Sequence, residues 1–119
     1  METKELKPVI WVGSSRSKLK EFPEPVRDEI GYALFRAQQG EKHHKAKPLK
    51  GFDGVLEIVS SFHTDAYRAV YAIKLGNRIY VLHTFKKKSK KGIKTPKPDL
   101  EIIKQRLQEA RMLVKEESP

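Results

Sequence analysis

The first third of the chain shows a strand pattern followed by a helical one. Residues 9–12 are a short β-branched and aromatic run between a proline and a glycine, which predicts a strand. Ser14 or Ser15 is suited to cap a short helix that begins near Arg16. From Glu24 onward, apolar residues recur with the helical period, so a second helix is predicted. Its apolar face consists of Val26, Ile30, Leu34 and Ala37.

Three further apolar runs predict consecutive antiparallel strands. These runs are residues 55–60, 66–74 and 78–87, and residues 61–65 connect the first two. Gly76-Asn77 separates the last two runs and is a strong signal for a two-residue hairpin turn, because glycine readily adopts a positive φ. The preceding residues 41–54 contain proline, glycine and lysine, and we expect them to form a basic loop.

The C-terminal residues predict a third helix. Thr95 followed by Pro96 resembles a helix start, with the threonine as N-cap and the proline at the first helical position, while Asp99 is a competing cap. The predicted order of elements is that of a single α+β domain over residues 1–119, an antiparallel sheet with two N-terminal helices and a C-terminal helix. The apolar stripe of this last helix is Leu100, Ile103, Leu107, Ala110 and Val114.

The hairpin turn fixes which side chains of the two longest strands are neighbours. With a two-residue turn at 76–77, Arg68 lies opposite Phe85 and Tyr71 lies opposite Leu82. A one-residue bulge would reverse the faces beyond it. The face that holds Arg68 is then expected to include Val70, Ala72, Ile79, Val81, His83, Phe85 and Lys87.

This register places three cationic or titratable side chains together. His83 and Lys87 are diagonal neighbours of Arg68, about 7–8 Å away and within reach of long side chains. An arginine fork, a lysine charge and an imidazole that titrates near neutral pH are suited to stabilise and cleave a phosphodiester. Each also has an ordinary interpretation, because Arg68 can pair with Glu57 across the sheet and His83 can be a core histidine.

The charge distribution indicates a polyanionic partner. The net charge is +10, and the excess lies in residues 41–50 and 86–97, which hold four and seven lysines. Concentrated positive charge of this kind usually binds nucleic acid, although it can also be a solvated surface. His43-His44 lacks ligand spacing and a nearby carboxylate cluster, so no metal site is expected there.

The remaining composition restricts the class of protein. Because the chain has no cysteine, disulfides, zinc–thiolate sites and thiol catalysis are excluded, which is consistent with a cytoplasmic location. We find no apolar run long enough to cross a membrane and expect no membrane association. The N-terminal residues also lack the apolar core of a signal peptide.

Four segments together resemble a known family. They are KPLKGFDGVLEI (47–58), YRAVYAI (67–73), GNRIYVLHTFKKK (76–88) and KTPKPDLEII (94–103). In combination they resemble the phage-derived, HigB-like branch of the RelE/ParE superfamily, the small basic toxins of type II toxin–antitoxin pairs. The resemblance covers about the last two-thirds of the chain, and the predicted order of elements fits a RelE/ParE-like fold.

The resemblance implies an mRNA-cleaving toxin that acts at the ribosome and is silenced by a HigA-like helix-turn-helix antitoxin. The implied reaction is attack of the substrate's own 2′-hydroxyl on the adjacent phosphate, with no metal or other cofactor. Arg68 matches the arginine of the family's central strand. In RelE-type toxins, the acid–base roles belong to lysines on the second strand and to a tyrosine near the C-terminus. Here the second strand carries Glu57 and no tyrosine follows Tyr80, so the acid–base candidates are His83, Lys87 and Lys94. The residues expected to bind RNA are Lys47, Lys50, Lys86, Lys88, Lys90, Lys91 and Lys94.

Two non-catalytic functions remain as alternatives. A toxin of the ParE type would inhibit a protein target such as gyrase, and a basic module would simply bind RNA or DNA. The cluster of Arg68, His83 and Lys87 favours the ribonuclease over the ParE type, because a protein-binding toxin does not need it. The modest number of acid–base groups favours the binding module.

Overall fold

The computed structural model describes residues 5–87 and 94–117, and it confirms an α+β fold. Lys88, Lys90 and Lys91, which are predicted to bind RNA, lie outside the described residues. In chain order the elements are β1 (Val9–Trp11), α1 (Ser15–Lys20), α2 (Glu24–Gln38), β2 (Lys47–Pro48), β3 (Val55–Phe62), β4 (Asp65–Leu75), β5 (Arg78–Lys87) and α3 (Lys97–Glu117).

The five described strands form one mostly antiparallel sheet in the order β1-β5-β4-β3-β2. The predicted antiparallel sheet with two N-terminal helices and a C-terminal helix is confirmed, and β1 adds one parallel pairing to it, with β5 at one edge. The two helices and the intervening strands between β1 and β5 give the chain the length that a parallel pairing requires. The prediction that residues 41–54 are entirely loop is wrong, because β2 pairs with Leu56 and Glu57 of β3. A two-residue strand is too short to produce a periodic signal.

The β4–β5 hairpin turns at the predicted dipeptide. Gly76 has φ of +59° and Leu75 pairs with Arg78. The predicted pair of Arg68 with Phe85 is confirmed, and Val70 pairs with His83.

The middle of the hairpin departs from the predicted register. Tyr71 pairs with Val81 rather than Leu82, and the register shifts between Val70 and Tyr71 and again before Leu75. Because each irregularity moves side chains to the other face, the prediction that Ile79 and Val81 share the face of Arg68 is wrong. Both pack instead in the core that contains α2.

Each face of the sheet is covered by helices. On one face, Ile58, Tyr71 and Val81 pack with residues of α1 and α2. On the other face, Val70 and Leu82 pack with α3. The predicted stripe of α2 is confirmed by the burial of Val26, Ile30, Leu34 and Ala37. In α3, Ile103, Leu107 and Ala110 are buried as predicted, whereas Leu100 and Val114 at the two ends of the stripe are half-buried.

The start of α3 differs from the prediction. Helical residues begin at Lys97, and the N–H of Leu100 donates to the carbonyl of Pro96. Thr95 is not the N-cap, because the helix begins two residues later; its hydroxyl donates to Glu57 of β3 at 3.1 Å. This bond and the sheet contacts of α3 fix where the helix lies. No helix among the described residues combines the length and apolar character needed to cross a membrane.

Truncation of Ile103 tests the packing of α3. Ile103→Ala should lower the free energy of unfolding by about 2–5 kcal/mol, because it opens a cavity at a fully buried position. Met112→Ala on the exposed face of the same helix is the control and should change it by less than about 0.5 kcal/mol. Urea unfolding measures both, and equal losses would contradict this placement of α3.

Candidate active site

A groove of about 470 Å³ lies where the end of β5 meets α1 and α3. Its walls combine cationic and aromatic side chains from four elements, which the fold brings together from distant parts of the sequence. They include Lys18, Tyr67, His83, Phe85, Lys86 and Arg106. This is the candidate active site.

His83 is held between two charged side chains of α3. Its Nε2 atom lies 2.7 Å from Oδ1 of Asp99, and its Nδ1 atom lies 3.3 Å from a terminal nitrogen of Arg106. The imidazole is 7% exposed and stacks on the ring of Phe85 with 4.8 Å between centroids. Both ring nitrogens of His83 therefore face a charged group.

Burial lowers the pKa of His83 from its ordinary value. The hydrogen bond and charge of Asp99 raise this pKa, the charge of Arg106 lowers it, and the net direction is down. The lowered pKa favours the neutral imidazole at neutral pH.

Arg106 is fixed by contacts on two sides. Its guanidinium donates to the carbonyl of Leu82 at 2.9 Å and to the hydroxyl of Ser14 at 3.0 Å. Gly13 has φ of +57°, and a Cβ there would lie 2.7 Å from Arg106 Nε. Glycine at this position therefore both adopts the left-handed conformation and leaves room for the guanidinium.

Arg68 forms a buried ion pair on the face of the sheet that α3 covers. Its guanidinium lies 3.0 Å from Oε1 of Glu57, and its side chain is 4% exposed. The other carboxylate oxygen of Glu57 accepts the hydrogen bond from Thr95. Arg68 thus has the pairing that its ordinary interpretation predicts, and it is not among the described residues that line the groove.

Of the predicted lysines that the structure describes, three lie near the end of β5 and two lie elsewhere. Lys86 lines the groove, where it pairs with Asp65 at 3.1 Å and lies over the ring of Tyr67. The bond to Asp65 raises the pKa of Lys86. Lys87 donates to the backbone carbonyl of Lys94 at 2.9 Å, so these two residues lie together at the same end of the sheet.

Lys47 and Lys50 lie elsewhere. Lys47 belongs to β2, three strands away from β5, and Lys50 is in the turn that follows β2. Since neighbouring strands are about 4.8 Å apart, roughly 14 Å of sheet separates β2 from β5. The structure therefore does not bring these two lysines to the groove.

The sequence prediction missed Asp99 and Arg106 as site residues. Asp99 was assigned only a possible capping role, and Arg106 had none. A signal was present, because Asp99 and Arg106 occupy polar positions on the same helical face as Ile103 and Ala110. A charged residue within an apolar stripe indicates a buried partner.

His43 is a core histidine. It is 5% exposed, its Nδ1 accepts the backbone N–H of Lys45, and its ring stacks on His44. Burial lowers its pKa. In residues 5–87 and 94–117, no three His, Asp or Glu side chains converge into a possible metal site.

The two buried histidines make stability depend on pH. Each has a folded-state pKa below that of the unfolded chain, about 6.5, so the unfolded state takes up protons first as the pH falls. Stability is therefore complete above about pH 6.5 and should fall below it, by at most about 1.4 kcal/mol per pH unit for each imidazole. Urea unfolding between pH 7 and 5 measures this. His83→Gln should reduce the pH dependence, and stability that rises on acidification would contradict it.

Comparison with known proteins gives one family. Residues 17–108 match the family described as phage derived protein Gp49-like (DUF891). No curated protein matches the sequence. Among solved structures, a chain of the toxin-antitoxin complex RelBE2 from Mycobacterium tuberculosis is similar with a TM-score of 0.47 and 18% identity, over 75% of this chain and 100% of that chain. Because the family match spans well over half of its residues, the chain belongs to the phage-derived Gp49-like family.

Proposed function

We propose that this protein is the toxin of a type II toxin–antitoxin pair and cleaves mRNA at the ribosome, in the cytoplasm. The observation that carries the proposal is the groove that His83 lines together with Lys18, Lys86 and Arg106, the last of which lies 3.3 Å from Nδ1 of the imidazole. A neutral imidazole beside a fixed guanidinium suits proton transfer at a phosphodiester. The sequence resemblance of the β4–β5 hairpin to RelE/HigB-like toxins supports the same function.

In the proposed reaction, the substrate's 2′-hydroxyl attacks the adjacent phosphorus. The hydroxyl proton moves to His83, the 2′-oxygen bonds to phosphorus, the bond to the 5′-oxygen breaks, and the leaving oxygen takes a proton from solvent. The products are a 2′,3′-cyclic phosphate and a 5′-hydroxyl. Arg106 and Lys86 stabilise the negative charge that develops on the phosphate.

The lysines at the same end of the sheet are proposed to bind the RNA backbone. Lys86, Lys87 and Lys94 lie together there, and Lys88, Lys90 and Lys91 are assigned the same role from the sequence. Such contacts supply affinity and position the RNA without reading its sequence.

The proposed partner is a HigA-like helix-turn-helix antitoxin that covers the basic surface. A net charge of +10 favours rapid, salt-sensitive association with an acidic partner. Co-purification with the product of a neighbouring reading frame tests this. Recovery of nucleic acid alone at low salt would count against an antitoxin.

One observation favours a non-catalytic alternative. Arg68, predicted to bind the scissile phosphate, is instead paired with Glu57, whose other carboxylate oxygen accepts a hydrogen bond from Thr95. If this pair persists when RNA binds, the chain lacks the predicted phosphate fork and would act as a nucleic-acid-binding module or a ParE-like inhibitor.

Direct assay of mRNA cleavage tests the proposed function. The purified protein should cleave mRNA on translating ribosomes and, in a ribosome-free reaction containing EDTA, should convert concentrated RNA to 2′,3′-cyclic phosphate ends. His83→Gln should lower the rate by about 10²–10⁴-fold, the scale of general acid–base catalysis. The exposed His44, changed to Gln, is the matched control and should keep the parental rate. A folded protein that cleaves no RNA in either reaction would refute the proposed function.

Arg68→Ala separates a catalytic role from a structural one. If Arg68 stabilises the transition state, the cleavage rate should fall by about 10²–10³-fold while RNA binding falls much less. If it only pairs with Glu57, the melting temperature should fall and every activity should decline in proportion. Melting, RNA binding and cleavage measured on one preparation distinguish the two. We expect the structural outcome, because Arg68 is buried in its pair with Glu57 and does not line the groove. A selective loss of cleavage in a folded variant would contradict this and place Arg68 in the mechanism.

A further inference from the structure

Helix α3 places two opposite charges on the two nitrogens of one imidazole. Asp99 and Arg106 are seven residues apart, two helical turns, so both side chains point to the same face of α3. Asp99 approaches Nε2 of His83 at 2.7 Å and Arg106 approaches Nδ1 at 3.3 Å. The imidazole of His83 therefore has a hydrogen-bond acceptor at Nε2 and a hydrogen-bond donor at Nδ1.

The chemistry of the two neighbours selects one tautomer of the neutral ring. A guanidinium can only donate, and an ionised carboxylate can only accept. The arrangement is satisfied when the proton of His83 is on Nε2 and the lone pair is on Nδ1. The other tautomer would set two donors against each other at Arg106 and two acceptors against each other at Asp99.

We propose that Asp99 is a positioning residue for His83, holding its proton on Nε2 so that Nδ1 is the atom that accepts a proton in the groove. The role in catalysis rests on the proposed function. The carboxylate of Asp99 would also stabilise the imidazolium that forms when Nδ1 takes the 2′-hydroxyl proton.

A substrate hydroxyl can reach Nδ1 of His83 only by replacing the contact that Arg106 makes with this atom. The contact to Nδ1, at 3.3 Å, is longer than the bonds of Arg106 to Leu82 and Ser14, at 2.9 and 3.0 Å. It is the weakest of the three and the least costly to exchange for a substrate hydroxyl. Arg106 would keep its place in the groove through its bonds to Leu82 and Ser14.

Asp99 also has an ordinary explanation, which the test must exclude. Asp99 lies in the first turn of α3, where its negative charge interacts favourably with the helix dipole. Its bond to His83 also anchors the helix to the sheet. An anchor alone would affect melting and leave the tautomer and the pH dependence of cleavage unchanged.

The first measurement is NMR of the full-length protein labelled with ¹⁵N in its histidines. We expect the parental His83 to carry its proton on Nε2. In Asp99→Asn, we expect a mixture of tautomers and a lower pKa of His83, because Asp99 raises that pKa. Glu101→Gln, at an exposed position two residues further along α3, is the control and should change neither. A parental His83 with its proton on Nδ1 would overturn the proposal.

The second measurement is the pH–rate profile of RNA cleavage. Asp99→Asn should lower the rate by about 10²–10⁴-fold with RNA binding retained, and should move the acidic limb of the profile to lower pH. A lower melting temperature with an unchanged profile would leave Asp99 as an anchor only and overturn the proposal. If the parental protein cleaves no RNA, the proposed function fails, while NMR still decides whether Asp99 fixes the tautomer.

Discussion

Burial of both faces of the β4–β5 hairpin is the constraint on which the rest of the structure depends. Helices α1 and α2 cover one face and α3 covers the other, so a polar side chain on these strands can bond only within the protein. The hydroxyls of Tyr71 and Tyr80 are buried without a partner among the described residues, whereas three other side chains are paired. Arg68 meets Glu57, His83 meets Asp99 and Arg106, and the hydroxyl of Thr84 donates to the carbonyl of Ser15 at 2.7 Å. The bonds of His83 and Thr84 fix α3 and the start of α1 in position on the sheet.

The candidate site is a product of that docking. Three residues in and just before α3 make these connections. Thr95, just before the helix, bonds to β3, Asp99 in its first turn bonds to β5, and Arg106 near its middle bonds to the segment before α1. Residues separated by up to 92 positions therefore meet around one imidazole. Because α3 supplies both charged neighbours of His83, the protonation chemistry of the groove depends on how this helix is seated.

Local signals predicted the elements, and long-range contacts explain the errors. The turn at Gly76, the stripes of α2 and α3, and the pairing of Arg68 with Phe85 follow from periodicity and one turn type. The register shift beside Tyr71, the parallel pairing of β1 and the two-residue β2 depend on packing that no short window of sequence contains. The sequence singled out His83 by its chemistry, but its partners lie on an element whose register against β5 cannot be deduced locally.

The short strands at the two edges of the described sheet have a consequence for self-association. β1 has three residues, and β2 has only Lys47 and Pro48. A charged lysine and a proline without an N–H are poor templates for an incoming strand, and so is a short edge. The long, apolar β4 lies inside the sheet and is paired along most of both edges, by β3 on one side and by β5 on the other. Addition of another strand to β4 is therefore blocked, even though this strand is rich in β-branched and aromatic residues.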